Sequence, residues 1–211
     1  MRAHLNPVST SESISLHTNS IDHVRLVALE LFVAKGFKGV SLRHLASAVG
    51  LQVGSLYSHI DSKEALLFEL IDDYERELLY VLFQRVGSEG DPLERLRSYV
   101  DAYIRFLMDN FVGSLLARYE FRSLRLNDQD SVVLIRKKYQ ELLCGILQDG
   151  VAEKIFHVDS LSITARGLIA LLDEMSGNVN AGTTSPEWLA TLSQNIVART
   201  VGVVASSSVP R

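Results

Sequence analysis

Apolar residues recur along most of this chain with the period of an α-helix, and the pattern is densest between Ser41 and Lys63. Four apolar positions at helical spacing define the first helix of that stretch: Leu42, Leu45, Ala46 and Val49. Gly50 ends it, because glycine adopts the left-handed conformation without a Cβ penalty. A second helical segment is predicted from Gln52 to Ile60. These 23 residues therefore hold two short helices, a sharp turn and the start of a third helix.

The second segment has an apolar side and a more polar side. Leu51, Leu56 and Ile60 are placed to point inward. The positions left on the outer face are Gln52, Val53, Ser55, Tyr57, Ser58 and His59. A helix pair with such a face is typical of a helix-turn-helix, whose second helix lies in the major groove of DNA. A plain helical hairpin joined by a glycine satisfies the same periodicity, so spacing alone leaves both interpretations open.

The remaining periodicity predicts an all-α fold, with no β-strand and no internal repeat. Ser62 caps a long helix, and the stretch Asp91 to Glu94 combines an acidic cap, proline at the first helical position and glutamate at the third. The predicted helices outside the pair are Ile21 to Lys35, Lys63 to Gln84 or Val86, Pro92 to Asn110, Val112 to Leu124, Asp130 to Asp149, a helix capped by Asp159 or Ser160 that ends near Ser176, and Pro186 to Val204. Residues 1–19 and 205–211 are predicted to be disordered tails, and residues 177–185 a polar turn.

Residues 21–67 resemble the DNA-binding head of TetR-family transcriptional repressors. The matching residues are Ala28, Leu31, Phe32, Gly36, Phe37, Ser41, Leu45, Ala46, Gly50, Gly54, Ser55, Leu56, Tyr57, His59, Ser62, Lys63, Glu64, Leu66 and Leu67. The resemblance is carried by the whole set with its spacings. Two positions depart from the family pattern: Gln52 stands where the family usually has Ser or Thr, and Ile60 replaces the usual Phe. The first departure indicates a different base or phosphate contact.

The resemblance implies a DNA-binding surface on the helix pair and its flanks. The residues implied to lie on it are Ser41, Arg43, Gln52, Val53, Ser55, Tyr57, His59 and Lys63. Phosphate contacts are assigned to Ser41, Tyr57 and Lys63. His59 either contacts phosphate or orients the start of a helix. The other members are candidates for base edges or nearby phosphates, because side chains on the second helix read sequence while cations and helix N-termini position the backbone.

Base readout is expected from the start of the second segment. The amide of Gln52 suits an adenine edge, and the methyl groups of Val53 suit a thymine methyl. Two alternatives without a DNA contact remain open. In one, Tyr57 packs in the core of the head, and in the other, Arg43 is a solvated surface residue.

Charge fits a DNA-binding head on an otherwise acidic protein. The net charge of −4 argues against a protein that coats nucleic acid indiscriminately, whereas residues 20–63 carry five Lys or Arg against three acids. The single cysteine, Cys144, excludes an intramolecular disulfide and a cysteine-only zinc site. No apolar run approaches the roughly 18 residues of a membrane span, and the N-terminus lacks a signal-peptide pattern. We therefore expect no membrane contact and a cytoplasmic protein.

Two domains are predicted. Residues 20–67 form the DNA-binding domain, and residues 68–204 form a larger helical domain for ligand binding and dimerisation. The last two helices carry few charges, and helices of that kind pack against a partner on more than one side. The resemblance agrees, because family members dimerise through their last two helices. We expect a homodimer that binds a palindromic operator in double-stranded DNA, with no cofactor.

Aromatic residues of the second domain are candidates to line a ligand pocket between helices. They are Tyr103, Phe106, Phe111, Tyr119, Phe121 and Tyr139. The arginines beside them, at helical spacing, are Arg118, Arg122 and Arg125. Such arginines suit an anionic head group on an apolar ligand, and Arg122 is taken as the predicted contact. Ordinary core packing explains the same aromatic residues one by one, and a solvated basic edge explains the arginines.

The resemblance implies a small-molecule effector in this second domain. Residues 120–124, together with Arg136 and Tyr139, faintly resemble regulators that sense acyl-CoA thioesters. The predicted effector is therefore a small apolar or amphipathic molecule, with an acyl-CoA-like thioester as one option.

Sequence patterns of catalysis are missing. The chain has no Gly-rich phosphate loop, no His-Glu-x-x-His zinc pattern and no Gly-x-Ser-x-Gly elbow, and its six histidines are scattered. The sequence therefore predicts a ligand-responsive repressor and not an enzyme. The alternative is a helical small-molecule-binding protein or enzyme that retains the head only as a structural piece.

Overall fold

The computed structural model describes residues 21–177 and 185–203, and within these ranges the secondary structure is entirely helical. The helices are α1 (Ile21–Lys35), α2 (Leu42–Ala48), α3 (Val53–Leu56), α4 (Lys63–Arg85), α5 (Pro92–Asp109), α6 (Phe111–Tyr119), α7 (Leu126–Ala152), α8 (Leu161–Gly177) and α9 (Pro186–Thr200). Two short 3-10 turns, Phe37–Gly39 and Phe121–Ser123, follow α1 and α6. The predicted all-α class, with a small N-terminal head and a larger helical body, is confirmed.

Helices α1 to α3 close around a small apolar core. Phe32 is fully buried and meets the ring of Phe37 edge to face, with the ring centroids 5.3 Å apart. The hydroxyl oxygen of Ser41 accepts a hydrogen bond from the His44 N–H at 3.1 Å and caps α2. Gly50 has φ of 75°, so the turn between α2 and α3 uses the left-handed conformation that its sequence predicts.

The second helix of the pair is shorter than predicted. It spans only Val53–Leu56, and residues 57–59 continue as a hydrogen-bonded turn, with the Ser58 hydroxyl donating to the Ser55 carbonyl at 2.6 Å. Serine hydroxyls compete for backbone groups in this way and favour turns over helices. The inward positions are nevertheless as expected, since Leu56 and Ile60 are buried.

Helix α4 belongs to both parts of the molecule. Its first half packs into the head core through Leu66, Leu67 and Ile71, and its second half packs into the body core through Leu78 and Leu82. The head core also includes residues of α6 and α7, so apolar packing runs continuously past residue 67. One rigid helix of 23 residues therefore joins the predicted DNA surface to the body.

The helix boundaries between α6 and α7 differ from the prediction, and α7 and α9 end at Ala152 and Thr200 instead of Asp149 and Val204. Helix α6 ends at Tyr119 and not at Leu124, and α7 starts at Leu126 and not at Asp130. The Asn-Asp pair, which the sequence predicts as a break, lies in the first turn of α7, where an acidic residue interacts favourably with the helix dipole. Asp128 also pairs there with Arg125, at 2.7 Å. The break therefore falls in residues 120–125.

Helices α8 and α9 complete the body. Ser185 caps α9 by accepting from the Trp188 N–H at 3.1 Å, with Pro186 in the first turn, and the helix ends at Thr200. The predicted tails at 1–19 and 205–211 lie outside the described residues, as does nearly all of the predicted polar turn at 177–185. Among the described residues, no helix is both long and apolar enough to cross a membrane.

Candidate functional site

The predicted DNA-contacting residues lie on α2, on α3, at the start of α4 and in the residues that flank these helices. Those whose side chains are exposed are Ser41, Arg43, Gln52, Ser55 and Tyr57, whereas Val53, His59 and Lys63 are half-buried. The Tyr57 side chain is 54% exposed, so it does not serve the core of the head. Within the part of the chain that the structure describes, no hydrogen bond or ion pair occupies the guanidinium of Arg43. The exposed side chains among these residues are thus accessible to a partner.

Lys63 is held by the head itself. Its ammonium donates to the carbonyl of Phe37 at 2.9 Å and to the carbonyl of Val40 at 2.8 Å, and it lies 4.1 Å from the centroid of the Phe37 ring. An ammonium has three N–H donors, so one stays available for another acceptor. These contacts fix the position of a cation at the edge of the face. Sequence reasoning identified the cation but not the groups that hold it.

A second candidate site is a cavity of about 310 Å³ between the helices of the body. Five helices, α4 to α8, contribute to it. Its lining residues are Tyr74, Glu75, Leu78, Tyr103, Leu107, Ser114, Leu115, Ala117, Arg118, Arg136, Tyr139, Gln140, Arg166, Ile169, Ala170 and Asp173. Apolar side chains and tyrosine rings surround a few charged groups, which is the usual composition of a ligand pocket.

Arg136 connects three elements at one side of this cavity. Its Nε and Nη2 atoms donate to Oε1 of Glu75 on α4, at 2.8 Å and 2.5 Å, and Nη2 also donates to the Ala117 carbonyl on α6, at 3.0 Å. The guanidinium lies 4.6 Å from the centroid of the Phe121 ring. The Tyr139 hydroxyl donates to the second oxygen of Glu75 at 3.3 Å.

Burial raises the pKa of Glu75, whose residue is only 2% exposed, and the charge and hydrogen bonds of Arg136 oppose that shift. A buried carboxylate is stable as an ion only with such a partner. The pKa of the Tyr139 phenol is also raised, first by burial and then by the charge of Glu75. Glu75 and Arg136 therefore form an ion pair in the wall of the cavity, in which the carboxylate is desolvated.

A second charged group lies on α8. Asp173 accepts a hydrogen bond from the Tyr103 hydroxyl at 2.8 Å, and burial raises the pKa of its carboxyl while that hydrogen bond lowers it. Arg118 pairs with Glu174, next to Asp173 in the sequence. Arg166 also lines the cavity and is exposed to solvent. The polar groups thus continue from the buried wall to the solvent edge.

The cavity uses only some of the predicted ligand residues. Tyr103 and Tyr139 line it, and Arg118 lines it too. The other predicted residues do not line it. Phe106 lies in the core, with its ring centroid 5.3 Å from that of Tyr74, Phe111 is half-buried, and Phe121 packs against the guanidinium of Arg136. Tyr119, which is 66% exposed, and Arg122 face solvent. Glu75 and Asp173 also line the cavity, and the sequence does not predict this. Nothing in their neighbouring residues distinguishes them from solvated acidic residues of a helix.

Known protein families match both the head and the body of the chain. The family described as "Bacterial regulatory proteins, tetR family" matches residues 26–70, and the one described as "Tetracyclin repressor-like, C-terminal domain" matches residues 89–201. The HTH-type transcriptional repressor KstR2 of Mycolicibacterium smegmatis is 28% identical over 141 residues, which cover 65% of this chain and 68% of that protein.

Solved structures share the fold. A bacterial regulatory protein in the tetR family from Rhodococcus RHA1 superposes with a TM-score of 0.83 and 24% identity, over 88% of this chain and 98% of that one. The protein AibR, solved in complex with isovaleryl coenzyme A and operator DNA, superposes with a TM-score of 0.76 and 19% identity, over 87% of this chain and 99% of that one. Since the C-terminal match alone covers more than half of the sequence and the N-terminal match covers the helix pair, the chain belongs to the TetR family of bacterial regulatory proteins.

Proposed function

We propose that this protein is a homodimeric transcriptional repressor that leaves a palindromic operator when a small amphipathic ligand enters its body. The observation that carries the proposal is the polar outer face of the helix pair. Ser55 on α3 and the two residues that flank this helix, Gln52 and Tyr57, are exposed there, while Leu56 on α3 is fully buried. A helix whose inner side is buried in a core and whose outer side is exposed can enter a DNA groove.

The roles on the DNA follow from side-chain chemistry. Ser41, Tyr57 and Lys63 contact phosphate, which positions the head, and the residues at the start of α3 contact base edges. Gln52 forms two hydrogen bonds to adenine, and Val53 touches a thymine methyl. His59 and Arg43 contact flanking phosphates or bases. Phosphate contacts make the affinity fall steeply with salt, because bound cations are released from the DNA.

Residues 20–67 act as the DNA-binding domain in this proposal, and residues 68–204 as the ligand-binding and dimerisation domain. Support for the dimer comes from the surface of the last two helices. Ile163 on α8 is 64% exposed and Trp188 on α9 is 58% exposed, on helices with few charges. Large exposed apolar groups on such helices favour a partner of the same kind. The two recognition helices then lie one DNA turn apart, about 34–36 Å, or more.

The ligand occupies the cavity between α4 and α8. Its volume lies near the lower end of the roughly 300–1,000 Å³ that is usual for ligand pockets, so it accepts one small apolar group. Arg118 and Arg166 at the exposed edge suit an anionic group on the same molecule. An acyl thioester of coenzyme A has both parts, with a short acyl chain inside and phosphates outside. AibR, which shares the fold, was solved with isovaleryl coenzyme A.

Release follows from the shared helix. A ligand that contacts α4 in the body and favours a different tilt of that helix changes the distance between the two heads. Both heads then no longer fit one operator, and the affinity falls. A ligand with equal affinity for both arrangements has no effect, whatever its strength of binding.

A gel-shift experiment with the DNA upstream of the protein's own gene tests DNA binding. The expected result is a specific complex that resists random competitor duplex and weakens steeply between low and physiological salt. Equal affinity for random duplexes, or none at low salt, favours the alternative of a small-molecule-binding protein or enzyme that retains the head as a structural piece. A monomer in sedimentation analysis contradicts the dimeric arrangement.

Ligand binding has its own test. Mass spectrometry of small molecules that co-purify identifies candidates, and titration with a series of acyl-CoA thioesters tests the class. Ala170→Phe is the blocking variant, because Ala170 lies at the exposed side of the cavity wall and a ring there fills space without disturbing the core. This variant is expected to keep DNA affinity and to lose the thioester response. A response that survives in Ala170→Phe places the ligand elsewhere.

A further inference from the structure

The backbone of Phe37 is held from two sides by charged side chains. Its N–H donates to Oε1 of Glu120 at 3.0 Å, and Glu120 belongs to the body, directly after α6. Its carbonyl accepts from the ammonium of Lys63 at 2.9 Å, and Lys63 is the cation at the edge of the predicted DNA face. One peptide segment of the head therefore connects a carboxylate of the body to a cation that is proposed to contact phosphate.

The environment of Glu120 keeps its carboxylate in place. Its second oxygen accepts a hydrogen bond from the Ser123 hydroxyl at 2.6 Å, within the 3-10 turn that follows α6. Gly36 adopts a φ of 73°, and a Cβ atom on it would lie 3.4 Å from Oε1 of Glu120. Glycine is needed at this position for its left-handed conformation, and the carboxylate lies within van der Waals distance of it. The contact is half-buried and spans 83 positions of sequence.

The other end of this connection is the cavity. Helix α6 contributes Ala117 and Arg118 to the cavity lining, and Glu120 follows two residues after Arg118. Arg136, also in the lining, donates to the Ala117 carbonyl at 3.0 Å and so holds the last turn of α6. A group that enters the cavity and moves this turn also moves the Glu120 carboxylate.

We propose that Glu120 is a positioning residue that couples the body to the DNA face by holding the Phe37 backbone, which in turn holds Lys63. This inference rests on the proposed function, and it adds a route from the cavity to the DNA that does not pass along α4. When Glu120 leaves the Phe37 N–H, the turn at residues 37–40 loosens. Lys63 then loses the two carbonyls that aim its ammonium, and its phosphate contact weakens.

The positioning role and net charge predict opposite effects of Glu120→Ala on DNA affinity. Removal of a negative charge from a protein strengthens its attraction to DNA. The positioning role predicts that Glu120→Ala weakens operator binding by roughly tenfold, the loss expected for one charge-assisted hydrogen bond. The salt dependence also changes. The slope of log affinity against log salt becomes shallower by about 0.9, the value for one lost phosphate contact.

The experiment measures affinity by fluorescence anisotropy at four salt concentrations, on the upstream duplex or on a duplex selected by this protein from a random pool. The variants are Glu120→Ala, Glu120→Gln, Lys63→Met and the double variant Glu120→Ala with Lys63→Met. Glu120→Gln keeps an oxygen acceptor for the Phe37 N–H and is expected to restore most of the affinity. Glu153→Ala, which removes an exposed carboxylate at the end of α7, is the matched control and is expected to bind as well as the wild type.

If Glu120 acts through Lys63, the two single effects do not add, and the double variant binds no more weakly than Lys63→Met alone. Hydrogen exchange gives a readout without DNA, since Glu120→Ala is expected to accelerate exchange at residues 37–40 and leave α8 unchanged. Additive effects, an unchanged salt slope or tighter binding by Glu120→Ala overturn the inference while the repressor function stands. A wild-type protein without specific binding overturns the proposed function instead, and the exchange result then still decides whether Glu120 holds the turn.

Discussion

The ion pair in the cavity wall gives the sharpest prediction of stability. Arg136→Met removes the guanidinium and leaves the Glu75 carboxylate, whose side chain is 3% exposed, with one hydrogen bond of 3.3 Å from Tyr139. Loss of one partner from a buried pair costs about 3–5 kcal/mol. We expect about 3 kcal/mol at pH 8, the lower end, because the Arg136 side chain is 32% exposed and some of its attraction is already screened.

The pH dependence of this loss has a definite sign. Burial already raises the pKa of Glu75 in the wild type, and removal of Arg136 takes away the charge that lowers it. The folded variant then binds a proton at this carboxyl more tightly than the unfolded chain does. Its free energy of unfolding therefore falls as the pH rises through the raised pKa, and the loss relative to wild type is smaller at pH 5 than at pH 8.

Urea unfolding at pH 5 and pH 8, followed by circular dichroism, measures the free energy of unfolding at each pH. In a separate thermal unfolding experiment at pH 8, the melting temperature is expected to fall by about 6–12 °C, at roughly 2–4 °C per kcal/mol for a chain of this size. Lys137→Met is the matched control, because it breaks an ion pair with Glu141 in which both side chains are more than 60% exposed, and it is expected to change stability by less than about 0.5 kcal/mol.

A compensating variant completes the test. Addition of Glu75→Gln to Arg136→Met removes the stranded charge and is expected to recover at least half of the loss at pH 8. Equal losses for the variants at Arg136 and Lys137, or a loss that does not depend on pH, would refute the claim that the desolvated carboxylate of Glu75 causes the destabilisation.

Three further predictions use other parts of the molecule. Gly150→Ala places a Cβ atom 2.0 Å from the Phe156 ring and is expected to destabilise the protein by about 1–3 kcal/mol in thermal unfolding. Gly145→Ala lies on the same helix, and its added Cβ atom would meet no atom within 4 Å, so this variant is expected to stabilise the protein by about 0.5–1 kcal/mol. Tyr57→Ala is expected to weaken operator binding in a gel shift with unchanged helicity in circular dichroism, since the side chain is exposed; a loss of helicity would contradict this. Burial raises the pKa of the Asp173 carboxyl, so this group contributes stability below its ordinary pKa, and that stability is lost as the pH rises through the raised pKa. The melting temperature of Asp173→Asn is therefore expected to rise relative to that of the wild type when the pH is raised from 4 to 8.

Local chemistry explains where the helix predictions succeeded. Ser41, Ser62 and Asp91 each accept hydrogen bonds from the freed N–H groups of the helix that follows, as their side chains predict. Gly50 takes its left-handed conformation for an equally local reason. Such signals need only the neighbouring residues, so a single sequence contains them.

The errors have a local cause as well. A polar pair such as Asn127-Asp128 has the same composition whether it breaks a helix or begins one. In the structure this pair lies in the first turn of α7, where Asp128 pairs with Arg125 and Val132 is buried further along the helix. Periodicity also predicts a second helix of the pair that is longer than the observed one, because the turn after Leu56 uses hydrogen bonds that periodicity does not contain.

The sequence by itself determined the all-α class, the helix pair with its glycine turn and the residues on the outer face, because each depends on spacing and capping within one or two turns of helix. Tertiary structure alone decided which side chains share the cavity and which charges pair, because five helices converge there at angles that periodicity does not contain. The pairing of Glu75 with Arg136 and the contact of Glu120 with Phe37 join residues 61 and 83 positions apart. Long-range contacts of that kind arise only when packing brings separate helices together.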